Sequence, residues 1–272
     1  MKCPSCGAEN EAGRNTCSRC GQALGNGMSK GTQMAVQNGS AAVFAFGRKA
    51  RAARMTEVVD PDAILETRTY NAVIAGTLLW GLLVNVLLCQ YAGDLVMNMN
   101  PVVFVVLYLG LAIGGVIIAA RSHKPAISFL GYNMVVIPFG LVISMLVRAY
   151  AEIDPLIVRD AFLYTLLISV GMMALVMIRP QFFERIGGIL MGALIGLVLC
   201  EGVLLILHIQ QNIMNWLLAA VFSLYIGYDI YRSQNYPKTL DNAVDSALDI
   251  YMDIANLFVR VLQILGNSRR RN

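Results

Sequence analysis

Six long apolar runs dominate this chain, and they restrict it to folds that a membrane can hold. They lie near residues 70–92, 101–120, 126–147, 161–178, 187–207 and 213–231. A helix of about 20 apolar residues spans the hydrocarbon core of a bilayer. The chain is 57% hydrophobic and 14% charged, which is too apolar for a soluble domain. A seventh, more polar segment covers about 245–265, so the sequence predicts an all-α membrane protein with a seven-helix transmembrane bundle.

The positive charges predict how this bundle is oriented. Lys and Arg accumulate before the first run, in loops 2–3 and 4–5, and after run 6, and this excess marks the cytoplasmic side. The N-terminus is therefore predicted to be cytoplasmic, in a multi-pass protein of the bacterial inner membrane. Seven full spans place Arg269, Arg270 and Arg271 outside, whereas a re-entrant seventh segment returns them to the cytoplasm. We favour seven spans, because late charges weigh less than early ones.

Four cysteines near the N-terminus form two C-x2-C knuckles, CPSC and CSRC. Each knuckle places two thiolates on one tight turn, and two knuckles complete a tetrahedral zinc site. Two disulfides or a redox dithiol are the alternatives, but a cytoplasmic location disfavours stable disulfides. The sequence predicts a small zinc ribbon with one structural Zn²⁺, and a site with four thiolate ligands has no open position for catalysis. Its ligands are Cys3, Cys6, Cys17 and Cys20.

The sequence divides into four parts. These are a zinc-ribbon module with the four cysteines (1–23), a flexible linker with a basic juxtamembrane segment (24–65), the transmembrane domain (66–268) and a basic tail (269–272). The basic segment, VFAFGRKARAARM, has two interpretations of equal weight. It is either a short helix on an anionic membrane surface or a plain positive flank of the first span.

Two aspartates stand inside otherwise apolar segments, Asp229 in run 6 and Asp253 in the seventh segment. A carboxylate at bilayer depth is costly and usually serves an ion or proton path. Asp253 belongs to a polar stripe spaced by three and four residues, which one helix face would carry. The stripe consists of Asp249, Asp253, Asn256, Arg260 and Gln263. Asp229 and Asp253 can meet across the turn between the segments, where they could share a proton or bind a cation.

Other polar or small residues in the spans have open or simpler interpretations. Arg121, at the end of run 2, is a counter-charge for the aspartates or a side chain that reaches the headgroups. Glu201 either extends a proton path or stays neutral and hydrogen-bonded between helices, and we favour the second. The spacing of Gly188, Gly192 and Gly196 predicts close helix packing, as do the glycines of GLAIGG (110–115).

Two stretches, SLYIGYDIYRSQ and ALDIYMDIANLFVRVLQILG, resemble the Bax inhibitor family of membrane proteins, with similarity over about residues 66–266. TYNAV, ARSHKP and RDAFLYT are weaker matches. The resemblance implies a seven-helix bundle around a central last helix and a pH-dependent calcium leak. It also implies a regulatory di-aspartyl pair with a nearby arginine, which correspond to Asp229, Asp253 and Arg121. Two residues depart from the family pattern, since Arg232 stands where the family often has Gln and Asp249 where it usually has an uncharged residue. Arg232 could pair with an aspartate in place of Arg121, and Asp249 could add a third carboxylate to the cation site.

The leading functional hypothesis is a pH-sensitive cation channel or ion-homeostasis regulator, with Ca²⁺ as the ion. Protonation of the aspartate pair would favour the closed bundle, and deprotonation would favour cation passage. The alternative is a membrane-anchored adaptor that binds a protein partner through its zinc module. Nucleic acid is not expected as a partner, since the knuckles carry only Arg14 and Arg19 as basic residues. An enzyme is not expected either, since neither a Ser/His dyad nor an HExxH motif occurs.

Overall fold

The computed structural model describes residues 9, 48, 51–57, 59–92, 99–207 and 212–269. Its long elements are all α-helices, preceded by a short 3-10 helix at Pro61–Ala63. We number the long helices in chain order: α1 Thr67–Tyr91, α2 Pro101–Arg121, α3 Pro125–Ala151, α4 Pro155–Ile178, α5 Pro180–Ile206, α6 Asn212–Asn235 and α7 Leu240–Arg269. Residues 51–54 and Arg48 are also helical.

Proline marks the start of four of these helices, α2 to α5. Proline suits the first helical position, because the N–H that it lacks would have no partner there. Two starts are also capped by a side chain. Asn100 accepts from the backbone N–H groups of Val102 and Val103, and Asp154 accepts from Leu156. Helices α4 and α5 therefore begin six and seven residues before the predicted apolar runs, in opening turns that mix apolar with charged side chains.

The prediction of an all-helical membrane protein is confirmed for the part of the chain that the structure describes. Helices α1 to α6 are each long and apolar enough to cross a membrane. Their outward faces carry large apolar side chains, as expected for a surface that lipid covers. Examples are Leu83, Val106, Leu167 and Ile189. Helix α7 does not qualify by composition, so a seventh span remains a prediction.

Helix α7 lies among the other helices, packed against α1, α3, α4 and α6. It has 30 residues, and its buried positions run from Asp241 to Gly266. Its first turn follows directly on α6. Its far end contacts the α3–α4 connection and the start of α6, through Arg269 to Asp154 (3.1 Å) and Asn267 to Asn212 (2.9 Å). One polar helix thus runs the length of the bundle, from one end to the other.

The two glycine-rich stretches have different surroundings. A Cβ atom at Gly115 would lie 2.7 Å from the carbonyl oxygen of Gly131, and one at Gly131 would lie 2.8 Å from that of Gly115. Helices α2 and α3 therefore touch backbone to backbone, as predicted. The prediction for α5 is wrong, because a Cβ at Gly188, Gly192 or Gly196 would meet no neighbour within 4 Å. These three glycines are exposed on the outer face of α5.

Candidate functional site

Four aspartates of α7 form one buried acidic face. Asp241, Asp245, Asp249 and Asp253 follow each other at intervals of four residues, so they lie along one side of the helix. All four are buried, and Asp229 of α6 is buried beside them. Carboxyl groups in such a position need opposite charges or hydrogen bonds, because burial alone would strongly disfavour their ionised form.

The opposite charges come from residues ahead of the first span. Arg48, Arg51 and Arg54 are spaced three apart, which places them on one face of a helix. Arg48 is 1% exposed and Arg51 is 0% exposed. We call Arg48 together with residues 51–57 the arginine segment. Its three guanidinium groups are buried against α7, where ion pairs with aspartates replace contacts with water.

The arginine segment pairs with the acidic face in antiparallel order. Arg54 contacts Asp241 and Asp245, and Arg51 contacts Asp249. Arg48 reaches furthest along α7. Its Nη1 donates to Asp229, and its Nη2 donates to Oδ1 of Asp253 at 2.7 Å. One guanidinium group therefore bridges the carboxyl groups of α6 and α7 in the middle of the fold.

Arg48 has further contacts that hold it in this position. Its guanidinium carbon lies 4.1 Å from the centre of the Tyr225 ring, a cation–π arrangement. Burial opposes the charged form of Arg48, but the carboxylates of Asp229, Asp253 and Asp249 outweigh that effect and raise its pKa. Arg48 is thus a permanent positive charge. Arg232 is a second cation near the pair, with Nη1 3.4 Å from Oδ1 of Asp229.

Uncharged side chains support the same interface. The Ser128 hydroxyl of α3 donates to Oδ1 of Asp241 at 2.5 Å. The side-chain amide of Asn242 donates to the backbone oxygen of Met55 at 3.2 Å and to that of Pro237 at 2.9 Å. These bonds connect the end of the arginine segment to the start of α7.

The structure places the predicted gate residues as follows. Asp229 and Asp253 are neighbours on the Arg48 guanidinium, and Asp249 pairs with Arg51. Arg121 is exposed at the end of α2. The predicted zinc ligands, Cys3, Cys6, Cys17 and Cys20, lie outside the described residues. Neither interpretation of the basic segment included the ion pairs that its three arginines form with buried carboxylates.

The other half of the polar stripe forms a separate buried group. Arg260 donates from Nη2 to Oε2 of Glu201 at 3.0 Å, and from Nη1 to Oδ1 of Asn215 at 3.1 Å. Asn256 donates to the backbone oxygen of Met252 at 2.7 Å. Glu201 thus has a charged partner, which the preference for a neutral, hydrogen-bonded Glu201 did not include. That partner, Arg260, is a member of the predicted polar stripe.

Sequence reasoning missed five members of the site: Arg48, Arg51, Arg54, Asp241 and Asp245. A signal for them was present, since aspartates at intervals of four and arginines at intervals of three each indicate one charged helix face. The described residues contain no group of three His, Cys, Asp or Glu side chains arranged to hold a metal ion. The carboxylates are arranged around arginines, so a cation could use them only after a guanidinium group moves.

Comparisons with known proteins found relatives that are similar to part of this chain. The chain is 38% identical over 85 residues to an uncharacterized protein of Helicobacter pylori, which covers 30% of this chain and 36% of that protein. It is 32% identical over 121 residues to an uncharacterized protein of Campylobacter jejuni, covering 43% of this chain and 50% of that protein. The chain thus spans half or less of the length of these relatives.

Two family models match separate parts of the chain. A zinc-ribbon domain matches residues 2–24, which contain the four cysteines. The model described as inhibitor of apoptosis-promoting Bax1 matches residues 63–270, which contain the helices α1 to α7 and Asp229 with Asp253. On this match the chain is a multi-pass membrane protein that belongs to the Bax inhibitor family.

Proposed function

We propose that this protein is a pH-sensitive cation leak channel or ion-homeostasis regulator, with Ca²⁺ as the ion, and that Asp229 and Asp253 form its gate. One observation carries the proposal: a single buried guanidinium group bridges two carboxyl groups from two different helices. A cation bound between Asp229 and Asp253 would use the same carboxylate oxygens that Arg48 contacts. Arg48 therefore occupies the place that a passing cation would take.

The gate would work through competition between three partners. When Arg48 bridges the pair, the bundle is closed. When a proton neutralises the pair, cations are not attracted and the bundle also stays closed. When both carboxyl groups are ionised and the arginine leaves, the pair can bind a cation. In this scheme Arg48 supplies the counter-charge that the resemblance assigned to Arg121, and Asp249 is the third carboxylate available to the ion.

The proposed path follows α7 as a seventh span, with the N-terminus in the cytoplasm of a bacterial cell. Three observations support this path. Helix α7 extends from the α6 turn to the α3–α4 connection, it lies among four other helices, and its buried face is polar along most of its length. A polar helix surrounded by apolar ones is typical of ion pathways in membranes.

Calcium flux into liposomes that contain the full-length chain tests the proposal. Asp229→Asn and Asp253→Asn should each abolish the pH dependence of the flux. Asp62→Asn is the matched control, because Asp62 is exposed and outside the site but undergoes the same chemical change. If the flux and its pH dependence are the same in both gate variants as in the unmodified protein, the gate is located elsewhere.

A second candidate function rests on the zinc-ribbon match, which is independent of the helical domain. In this view the bundle anchors an adaptor whose zinc ribbon, with Zn²⁺ on its four cysteines, binds a protein partner. Affinity purification from membranes with and without residues 1–25 separates the two functions. A partner that disappears with residues 1–25 supports the adaptor, and an unchanged set of partners eliminates it.

A further inference from the structure

We propose that Asp241, Asp245 and Asp249 form a docking face for the arginine segment, which acts as a displaceable ligand of α7 and carries Arg48 to the gate. The docking itself is a property of the helices and does not depend on ion flux. Its effect on a leak rests on the proposed function. The segment lies ahead of residue 63, where the match to the Bax inhibitor family model begins.

The two charge patterns fit each other in length and direction. Three residues of helix rise by about 4.5 Å and four by about 6 Å, a mismatch that flexible arginine side chains can span. In antiparallel order Arg54 meets Asp241 and Asp245, and Arg51 meets Asp249. Each arginine thus has its own carboxylates. A helix with basic residues at other intervals would not match all of them.

Among the described residues, the other supports of the arginine segment include the Asn242 bond to Met55, the Tyr225 ring under Arg48 and the buried Met55 side chain. Ala53, Thr56 and Glu57 are exposed. Glu57 has a 3.7 Å contact with His123, in which both side chains are more than half exposed, so this pair contributes little. The described helical residues of the segment, Arg48 and 51–54, are too few to form a stable helix in water by themselves. The segment therefore depends on the aspartates, and it should detach when they have another partner.

Detachment has a direct consequence for the gate. Arg48 is helical and lies only three residues before Arg51, so it reaches Asp229 and Asp253 only while Arg51 and Arg54 are docked. Docking places the guanidinium group between the gate carboxylates, and release removes it. Asp241 and Asp245, which pair with Arg54, thus influence the gate from a distance.

Hydrogen exchange on the full-length chain in nanodiscs tests the docking without reference to flux. In the unmodified protein, amides such as that of Met55, which donates to the backbone oxygen of Arg51, should be protected. Both Arg51→Gln/Arg54→Gln and Asp241→Asn/Asp245→Asn/Asp249→Asn should lower protection over residues 51–57 by about tenfold or more, since removing one partner of a buried ion pair is strongly destabilising. The arginine set changes no residue of the proposed gate, whereas the aspartate set includes Asp249, the third carboxylate of that gate.

A charge exchange distinguishes docking from a general loss of fold. Arg51→Asp alone and Asp249→Arg alone should both release the segment, and the two together should restore its protection. Arg68→Gln/Lys124→Gln is the control, because it removes two exposed positive charges and should leave protection unchanged. Undiminished protection in the arginine or aspartate variants, or no recovery in the exchange, overturns the docking.

Calcium flux with the arginine variant, which leaves every gate residue intact, then separates the two proposals. Arg51→Gln/Arg54→Gln should increase the leak several-fold while the gate carboxylates remain. If protection is lost as expected but no variant conducts, docking holds and the proposed channel function fails. If the leak is present and unchanged after release of the segment, the docking does not control the gate.

Discussion

Arg260 of α7 and Glu201 of α5 form an ion pair that is almost completely shielded from solvent. Both side chains are at most 2% exposed, and Nη2 of Arg260 lies 3.0 Å from Oε2 of Glu201. This pair is on the other half of the polar stripe from the arginine segment. Buried ion pairs thus hold helix α7 at two places, once through residues ahead of the first span and once through α5.

Removing one partner of this second pair should destabilise the bundle more than removing both. Glu201→Gln leaves the Arg260 charge buried without its counter-charge, and we expect a loss of about 3–5 kcal/mol in the free energy of unfolding. Thermal unfolding in detergent measures it. Glu184→Gln is the control, because Glu184 is exposed on the same helix and should shift stability by less than about 0.5 kcal/mol.

The double variant Glu201→Leu/Arg260→Met completes this test. Replacement of a buried ion pair by apolar side chains of similar size is often neutral or stabilising, so most of the loss should be recovered. A double variant that is less stable than Glu201→Gln would mean that the ion pair stabilises the bundle more than apolar side chains of similar size do.

Alanine substitutions at Gly131 of α3 and Gly192 of α5 should have opposite effects on stability. Gly131→Ala places a methyl group 2.8 Å from the Gly115 carbonyl oxygen, which is backbone and cannot rotate away. We expect a loss of about 1–3 kcal/mol from this overpacking. Gly192→Ala meets open space, and we expect no loss, since alanine favours the helix over glycine. Unfolding of the two variants side by side measures both effects, and equal destabilisation would contradict the packing described here.

The helical part of the fold was predictable because lipid imposes a simple rule. About 20 apolar residues mark a span, and each of the six runs corresponds to a helix. The helix ends were less predictable. Proline extends α4 back to Pro155 and α5 back to Pro180, and the charged residues of these opening turns interrupt the apolar pattern. The glycine spacing on α5 shows that another helix could approach closely at that face. It does not show whether the face is turned toward the bundle or away from it.

The site was predictable only where its residues are unusual in their own segment. Asp229 and Asp253 stand out against apolar neighbours, and the spacing from Asp253 to Arg260 marks one helix face. The partners of the aspartates were not predictable in this way. Arg48 is 181 positions from Asp229 and 205 positions from Asp253, and no local spacing rule connects residues so far apart. The basic and apolar residues around Arg48 are also typical of the flank of a membrane span, so composition did not distinguish the two.

Zinc removal should affect the N-terminal module and leave the helical domain intact. Cys17→Ser removes one of four expected thiolate ligands, and a unit so small has almost no core without its metal. We expect loss of one bound zinc per chain, measured by elemental analysis, with an unchanged unfolding temperature for the helices. Cys89→Ser is the control, because Cys89 lies in α1, outside the zinc-ribbon match. Retained zinc in Cys17→Ser would exclude the four-cysteine site.

Arg48→Lys should open the gate although the charge is kept. The guanidinium group reaches Asp229 with Nη1 and Asp253 with Nη2, and its flat face lies over Tyr225. An ammonium group is a compact charge without this fork, so it can satisfy one carboxylate well but not both. Loss of a hydrogen bond between charged groups costs about 1.5–3 kcal/mol, which changes the ratio of open to closed protein by about tenfold or more.

Calcium flux at neutral pH should therefore rise in Arg48→Lys. Arg232→Lys is the matched control, since Arg232 contacts Asp229 but not Asp253 among the described contacts and is 3.4 Å away. Equal flux in Arg48→Lys and the unmodified protein would show that bridging by the fork is not what closes the gate.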